Sequence, residues 1–530
     1  MNDKLDYLSS RVTKGLMTRR EFAGRAAALG FTAAAANAML ADKARAEGPV
    51  RGGTIKSGLS GGESTNTMDP ALTASEVPLT NIRHWGETLL ELTPDGQLDY
   101  RLAESAEASA DAKTWAFKIR KGVEFSNGQT MTPDDVLKTM QRHSDENSQS
   151  GALGIMRGIE SMKVDGDNFI VEMSTASADL PYLMTDYHLM IQPGGGIDNP
   201  GAGIGTGPYT IEFDEPGVRH GYKRRENYWD AENRGFAEFS EVYVLNDATA
   251  RTAALQSGQV HMINRVEPKI ADLLGRAPNI TVESAAGPGH YVFIMHIDTA
   301  PFDNNDLRLA LKYAINREEM VDKILRGYGT IGNDFPINSS YPLFDESIPQ
   351  REFDLEKAAE HYKASGHDGS PIILRTADGA FPGAVDAAAL FQQTAQAAGI
   401  PLEIKREPND GYWTEVWNAQ PFCASYWGGR PVQDQMYTTA YLSTADWNDT
   451  RWKRPEFDEM LLAARGEIDE AKRKEIYSKM AMMLRDEGGL ILPMFNDYIS
   501  GVSDSIGGWV EDSNGEFMSN KANIKCWVKA

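Results

Sequence analysis

The sequence predicts an α/β protein of more than one domain, on three observations. Its 530 residues exceed what one ordinary core organises. Residues 371–427 alternate strand, helix, strand, helix, strand, the pattern of a parallel α/β unit. Two apolar, glycine-flanked runs, 290–297 and 489–495, bracket that unit.

The chain opens with an address. Thr18-Arg19-Arg20-Glu21-Phe22 precedes an alanine-rich apolar run over 23–40, and Ala44-Arg45-Ala46 is a small-x-small cleavage site. The order is that of a twin-arginine signal, so 1–46 is expected to be removed on export to the periplasm. The alternative is an N-terminal helix of the mature domain. No cysteine follows the cleavage site, which argues against a lipid anchor there, and no later segment is long and apolar enough to span a bilayer.

With 76 acidic against 53 basic residues the formal charge is −23, and the leader takes away eight basic and four acidic residues. Such a surface repels nucleic acid and anionic membrane, which excludes a polynucleotide partner. The two cysteines, Cys423 and Cys526, pair only if the C-terminus folds back beside the first of them; two buried free thiols is the alternative.

After the leader, Gly52 to Leu59 reads as a strand, and Glu63 to Thr67 as a polar turn. Gly58-Leu59-Ser60-Gly61-Gly62 matches G-x-S-x-G, but it leads into a loop, where a nucleophile elbow needs a helix. A helix is expected over 80–92, with a turn at Thr93-Pro94-Asp95-Gly96 and an alternating strand over 115–120. Thr132-Pro133-Asp134-Asp135 starts a helix with hydroxyl cap, first-position proline and first-turn acids. Residues 208–213 and 241–245 read as strands, Asp247 caps a helix that Gly258 ends, and Asn304 or Asn305 caps one carrying Leu307, Ala310, Leu311, Ala314 and Ile315. Further on, 371–375 is a strand, 385–398 an alanine-rich helix, 402–405 a strand, 412–418 a helix and 422–427 a short buried strand.

Several of these segments carry a resemblance. Asp69-Pro70, Leu102-Ala103-Glu104-Ser105, Arg120-Lys121-Gly122-Val123 with Asn127-Gly128, and the 132–136 helix start occur in that order. They are followed by Gly205-Thr206-Gly207-Pro208-Tyr209, Glu226-Asn227-Tyr228-Trp229, Ala254 through Val260, and Pro301-Phe302-Asp303 through Arg317. Together they resemble the peptide/opine/nickel family of solute-binding proteins (family 5) that serve ABC importers, over essentially the whole mature chain. The resemblance implies a two-lobed periplasmic-binding-protein fold, type II and cluster C-like. Its first lobe would comprise 47–288, with an inserted subdomain at about 80–190, and the return segment 497–530; the second lobe would be 289–496. It implies a monomeric receptor, without cofactor, that holds a small peptide-like or opine-like solute between its lobes and delivers it to membrane permease subunits.

In such α/β units ligands gather outside the carboxyl ends of the strands, where Asp378, Asn409, Asp410 and Arg430 fall. In peptide-binding members of the family an aspartate in the Trp-x-x-Asp segment holds the ligand's ammonium; here Trp427-Gly428-Gly429 is followed by Arg430. A guanidinium fork suits a carboxylate, so an anionic ligand group is expected there. The alternative is an ion pair between Arg430 and Asp434 or another carboxylate of the wall, while Asp434 or Asp410 remains open to an amine. Tryptophans crowd this region at 413, 417, 427, 447 and 452. Trp427, Trp447 and, from the first lobe, Trp85 are candidates to stack on ligand. By resemblance the turn holding Ser64, Asn66 and Thr67 faces it.

No catalytic or metal-ligating spacing is found: His261, His290 and His296 lack partner acids or cysteines, and neither H-E-x-x-H nor G-x-G-x-x-G occurs. The competing readings are an exported hydrolase or redox enzyme, and a ligand sensor with the same fold.

Overall fold

The computed structural model describes residues 48–529 except 74, 146, 378, 409–411 and 446. The leader, Asp378, Asn409 and Asp410 therefore lie outside the described residues, as does the side chain of Trp413.

Two lobes share one mixed sheet of eleven strands. Two long strands at its middle, Ile280–Met295 and Leu490–Ser503, run antiparallel and serve both lobes. Beside one end lie Phe422–Trp427, Ile372–Thr376 and Leu402–Arg406; the last two are parallel, as the α/β pattern predicts, and Phe422–Trp427 pairs antiparallel with the long strand. Beside the other end lie Met262–Ile263, Thr54–Leu59, Phe239–Val244, Arg219–Arg224 and Tyr209–Glu215.

The pairing of the two long strands slips between Ala286 and His290, at Gly287-Pro288-Gly289. Proline removes a ladder donor, and glycine lets backbone approach backbone. A Cβ on Gly287 would lie 2.3 Å from the Tyr498 ring. The ladder between the two long strands is thus interrupted at 287–289.

In the second lobe both faces of the sheet are buried, and side-chain alternation sorts the core. Phe293 and Met295 join Leu374, Phe391 and Phe422 on one face, whereas Val292 and Ile294 join Trp427, Met436, Tyr437 and Trp452 on the other. In the first lobe a separate antiparallel sheet, in the order Ala103–Ala108, Thr114–Ile119, Asn168–Met173 and Ile159–Asp165, shares a core with the Pro133–Ser144 helix. That helix begins as its sequence dictates: Thr132 and Asp135 form a reciprocal capping box.

Some elements depart from the sequence reading. The first helix is Glu76–Trp85, stopped at Gly86, and Leu90–Leu92 is a strand paired with Leu98–Tyr100 around the 93–96 turn. The turn converts residues 90–92 into a hairpin arm. The 305–323 stretch is two helices, because Asn316 accepts from Glu319 N and caps a second one. Tyr412–Val416 is a π-helical turn. Both cysteines are free and buried, Cys423 in the second-lobe core and Cys526 in the first, beside the Met518 sulfur. Among the described residues no helix is long and apolar enough to cross a membrane.

Candidate functional site: a cleft between the lobes

A cleft of about 1640 Å³ opens between the lobes, with walls from both. On the second-lobe wall, Phe422–Trp427 runs antiparallel to the long strand, so that Trp427 faces His290 across the ladder. The chain then leaves the sheet through Gly428-Gly429. A Cβ on Gly429 would lie 1.9 Å from Pro288 Cγ, so only glycine lets this loop rest on the crossover. Arg430 follows. Its backbone N donates to Tyr341 Oη at 3.1 Å, and its Nη1 donates to the Gly428 and Gly429 carbonyls, both at 3.1 Å. Among the described residues no carboxylate pairs with Arg430, and its side chain borders the cleft.

The expected alternative, an Arg430–Asp434 pair, is not what forms. Asp434 accepts from Arg465 Nε at 3.0 and 3.2 Å, and Arg465 is steadied by Thr438 Oγ1 at 2.7 Å. Burial pushes the Asp434 carboxyl up and Arg465 pulls it back. Asp434 lines the cleft with its charge already matched, so it is not a free acceptor for a ligand amine.

Trp427 and Trp447 both line the cleft. Trp427 is 5 % exposed, and its Nε1 donates to Asp449 at 3.1 Å; Trp417 donates to the same oxygen at 3.0 Å. Trp447 is 52 % exposed, with its ring centre 6.1 Å from that of Trp427. The pair offers one fixed and one accessible aromatic face.

The first-lobe candidates need correction. Trp85 is wholly buried in the first-lobe core, away from the cleft. Gly205 and Gly207 cover it: Gly207 N donates to Trp85 O at 2.8 Å, and a Cβ on Gly205 would lie 2.9 Å from the indole. The glycines of that motif exist to seat the ring. Ser64, Asn66 and Thr67 also lie off the cleft. Asn66 Oδ1 accepts from Glu63 N, Thr67 Oγ1 accepts from Asp69 N, and Ser64 packs its backbone against Gly217, so the turn closes on itself and on a neighbouring hairpin.

The first-lobe wall is built instead by residues the sequence reading passed over. Glu76, Leu79 and Arg83 line the cleft from one face of the first helix, at i, i+3 and i+7. Placing that helix at 80–92 hid the stripe. Glu76 faces Arg265, whose Nε donates to both Glu516 oxygens at 3.0 and 2.8 Å and whose Nη2 lies 3.7 Å from Glu76. Two carboxylates thus share one guanidinium. Burial, and then Glu516, raise the Glu76 carboxyl above its usual range against the pull of Arg265. Tyr187 lines the same wall. Arg265 and Glu516 lie 251 residues apart, so no local pattern joins them.

The histidines considered as ligands are structural: His290 Nδ1 donates to Pro288 O at 2.9 Å, His261 Nδ1 accepts from Lys56 N at 3.1 Å, and His296 is buried.

Two lobes on a shared sheet, enclosing a cleft lined from both by charged, aromatic and aliphatic side chains, define the class of two-lobed solute receptors. The model for bacterial extracellular solute-binding proteins, family 5 middle, matches residues 97–449, and the chain belongs to that family. Di/tripeptide-binding protein 1 of Pseudomonas aeruginosa (strain UCBPP-PA14) is 24% identical over 426 residues, 73% of this chain and 78% of that one. Among solved structures, the periplasmic binding protein DppA from Helicobacter pylori, in complex with the peptide STSA, superposes with a TM-score of 0.76 at 18% identity, covering 91% of this chain and 99% of the other. AgaA from A. tumefaciens R10, in complex with agropinic acid, gives 0.75 at 20% identity, covering 90% and 99%.

Proposed function

We propose that this protein is the periplasmic receptor of an ABC importer, exported by the twin-arginine route, and that it captures a small peptide-like or opine-like solute by a carboxylate docked on Arg430. One observation carries the reading: a guanidinium on the cleft wall whose charge no carboxylate among the described residues neutralises. Bound to two carbonyls through one nitrogen, it keeps its remaining donors for a planar anion. The names of its relatives, peptide binders and a receptor solved with agropinic acid, support a ligand of that class. We take 47–288 with 497–530 as the first lobe and 289–496 as the second, hinged near 287–289 and 496. Closure would exclude water and offer the closed form to the permease. Selection, not catalysis, is then the task.

The test is a calorimetric and thermal-shift screen of the mature chain against short peptides, N-carboxyalkyl amino acids, free amino acids and polyamines. Carboxylate-bearing conjugates are expected to bind, and Arg430→Ala to weaken them by about 2 to 5 kcal/mol. Unchanged affinity removes Arg430 from the site. Binding of amines alone means that the acids of the cleft select the ligand.

A further inference from the structure

Arg83 occupies the last turn of the Glu76–Trp85 helix, where a cation complements the dipole, and borders the cleft from the first-lobe side. It is 8 % exposed. Among the described residues its Nε and Nη1 are buried and find no acceptor to donate to, and its one ion pair, Nη1 to Glu91 Oε1, spans 3.6 Å.

Other buried arginines of this chain hold close acceptors, even where, as at Arg317, the Nε is left without one. Arg234 grips Glu91 through two bonds at 2.9 and 2.7 Å, Arg317 grips Asp334 through two at 2.7 Å, and Arg251 serves four backbone carbonyls. A guanidinium taken from water without acceptors is costly unless something else meets it. The carboxylates near Arg83 are committed elsewhere: Glu91 to Arg234, Asp186 to His188, and Asp512 to Asn514 and Ser519. Lys521, 3.9 Å from Glu91, adds to the positive side of this group.

Arg83 and Arg430 address the same space from opposite lobes. Tyr187, which lines the cleft, feels both: burial and Asp186 hold its phenol above the ordinary range, while Arg430 and Arg83 both pull it down.

We propose that Arg83 is a second anion anchor, and that the solute carries two carboxylates, one taken by Arg430 and the other by Arg83. A dicarboxylate would then bridge the lobes, and each lobe alone would hold only half of it. This inference rests on the reading of Arg430 as a carboxylate anchor.

The experiment is calorimetry on the full mature chain with N-(1-carboxyethyl)arginine and with the same compound amidated at one carboxyl. Wild type is expected to prefer the dicarboxylate by at least about tenfold, the discrimination of one charge-assisted contact. Arg83→Gln should bind the two compounds alike, at the level of the amide in wild type, and Arg83→Lys should keep part of the preference. The midpoint of unliganded Arg83→Gln should not fall, since no hydrogen bond is lost. If Arg83→Gln keeps the full preference, or loses unliganded stability with the preference intact, the second anchor is overturned. Should Arg83→Gln fail to fold, Arg83→Lys decides, because an unreduced preference there overturns it equally. Loss of binding in Arg430→Ala with no effect of either Arg83 variant removes Arg83 alone. Failure of both compounds to bind wild type removes the Arg430 reading with it.

Discussion

Asp449 lies wholly buried beneath the tryptophan wall of the cleft, and its behaviour can be worked through from the structure. One oxygen, Oδ2, accepts from the indoles of Trp417 and Trp427 at 3.0 and 3.1 Å; the other has no partner, and no cation pairs with the group among the described residues. Burial raises its pKa from 3.8 to about 7, against the two indole donors, which favour the anion. The folded state therefore holds this proton more tightly than the unfolded chain does. Its contribution to stability is greatest below about pH 4 and is lost as pH rises to about 7, and the displacement corresponds to about 4 kcal/mol. Asp449→Asn removes the charge while leaving a carbonyl for the indoles. Urea unfolding of both proteins from pH 4 to 8 isolates the group, because every other titration cancels in the difference. The variant should be the more stable at pH 8, by up to about 4 kcal/mol, with the gap closing toward pH 4. A difference that does not change with pH would refute the argument.

Two further outcomes follow from the placement of side chains. Trp85→Ala should cost about 3 to 5 kcal/mol of stability through the cavity it leaves, with ligand affinity unchanged in the folded fraction; lost affinity at full stability would return Trp85 to the cleft. Arg473→Met should strand Asp179, which it holds at 2.7 Å, at a cost of about 3 to 5 kcal/mol at pH 8. Burial raises Asp179 to about 6, so that loss should shrink below pH 6, where the acid takes up a proton; equal losses in urea melts at pH 8 and 4.5 would contradict the assignment.

Local chemistry made much of this protein legible from its residues. The Thr132 capping box, the Asp247 cap and the strand–helix–strand alternation from Ile372–Thr376 to Leu402–Arg406 depend on neighbours a few positions apart, and they formed as read. The replacement of an expected aspartate by Arg430 was likewise visible, because it sits on a short motif beside a strand end. What partners it has was not. Asp434, four residues away, was the plausible counter-ion until the fold brought Arg465 to it. The errors share that cause. Trp85 was assigned to the cleft as an aromatic available from the first lobe and the 64–67 turn by resemblance, but the glycines at 205 and 207 and the hairpin at 217 decide which way they face. The real first-lobe wall joins Glu76, Arg265 and Glu516 across more than two hundred residues. Sequence by itself determined the helix caps and most of the strands, since those follow from short-range sterics and composition. Tertiary structure alone decided which charges are already neutralised and that, among the described residues, Arg83 lacks a hydrogen-bond acceptor and Arg430 a carboxylate partner, because burial and pairing depend on residues that only folding brings together.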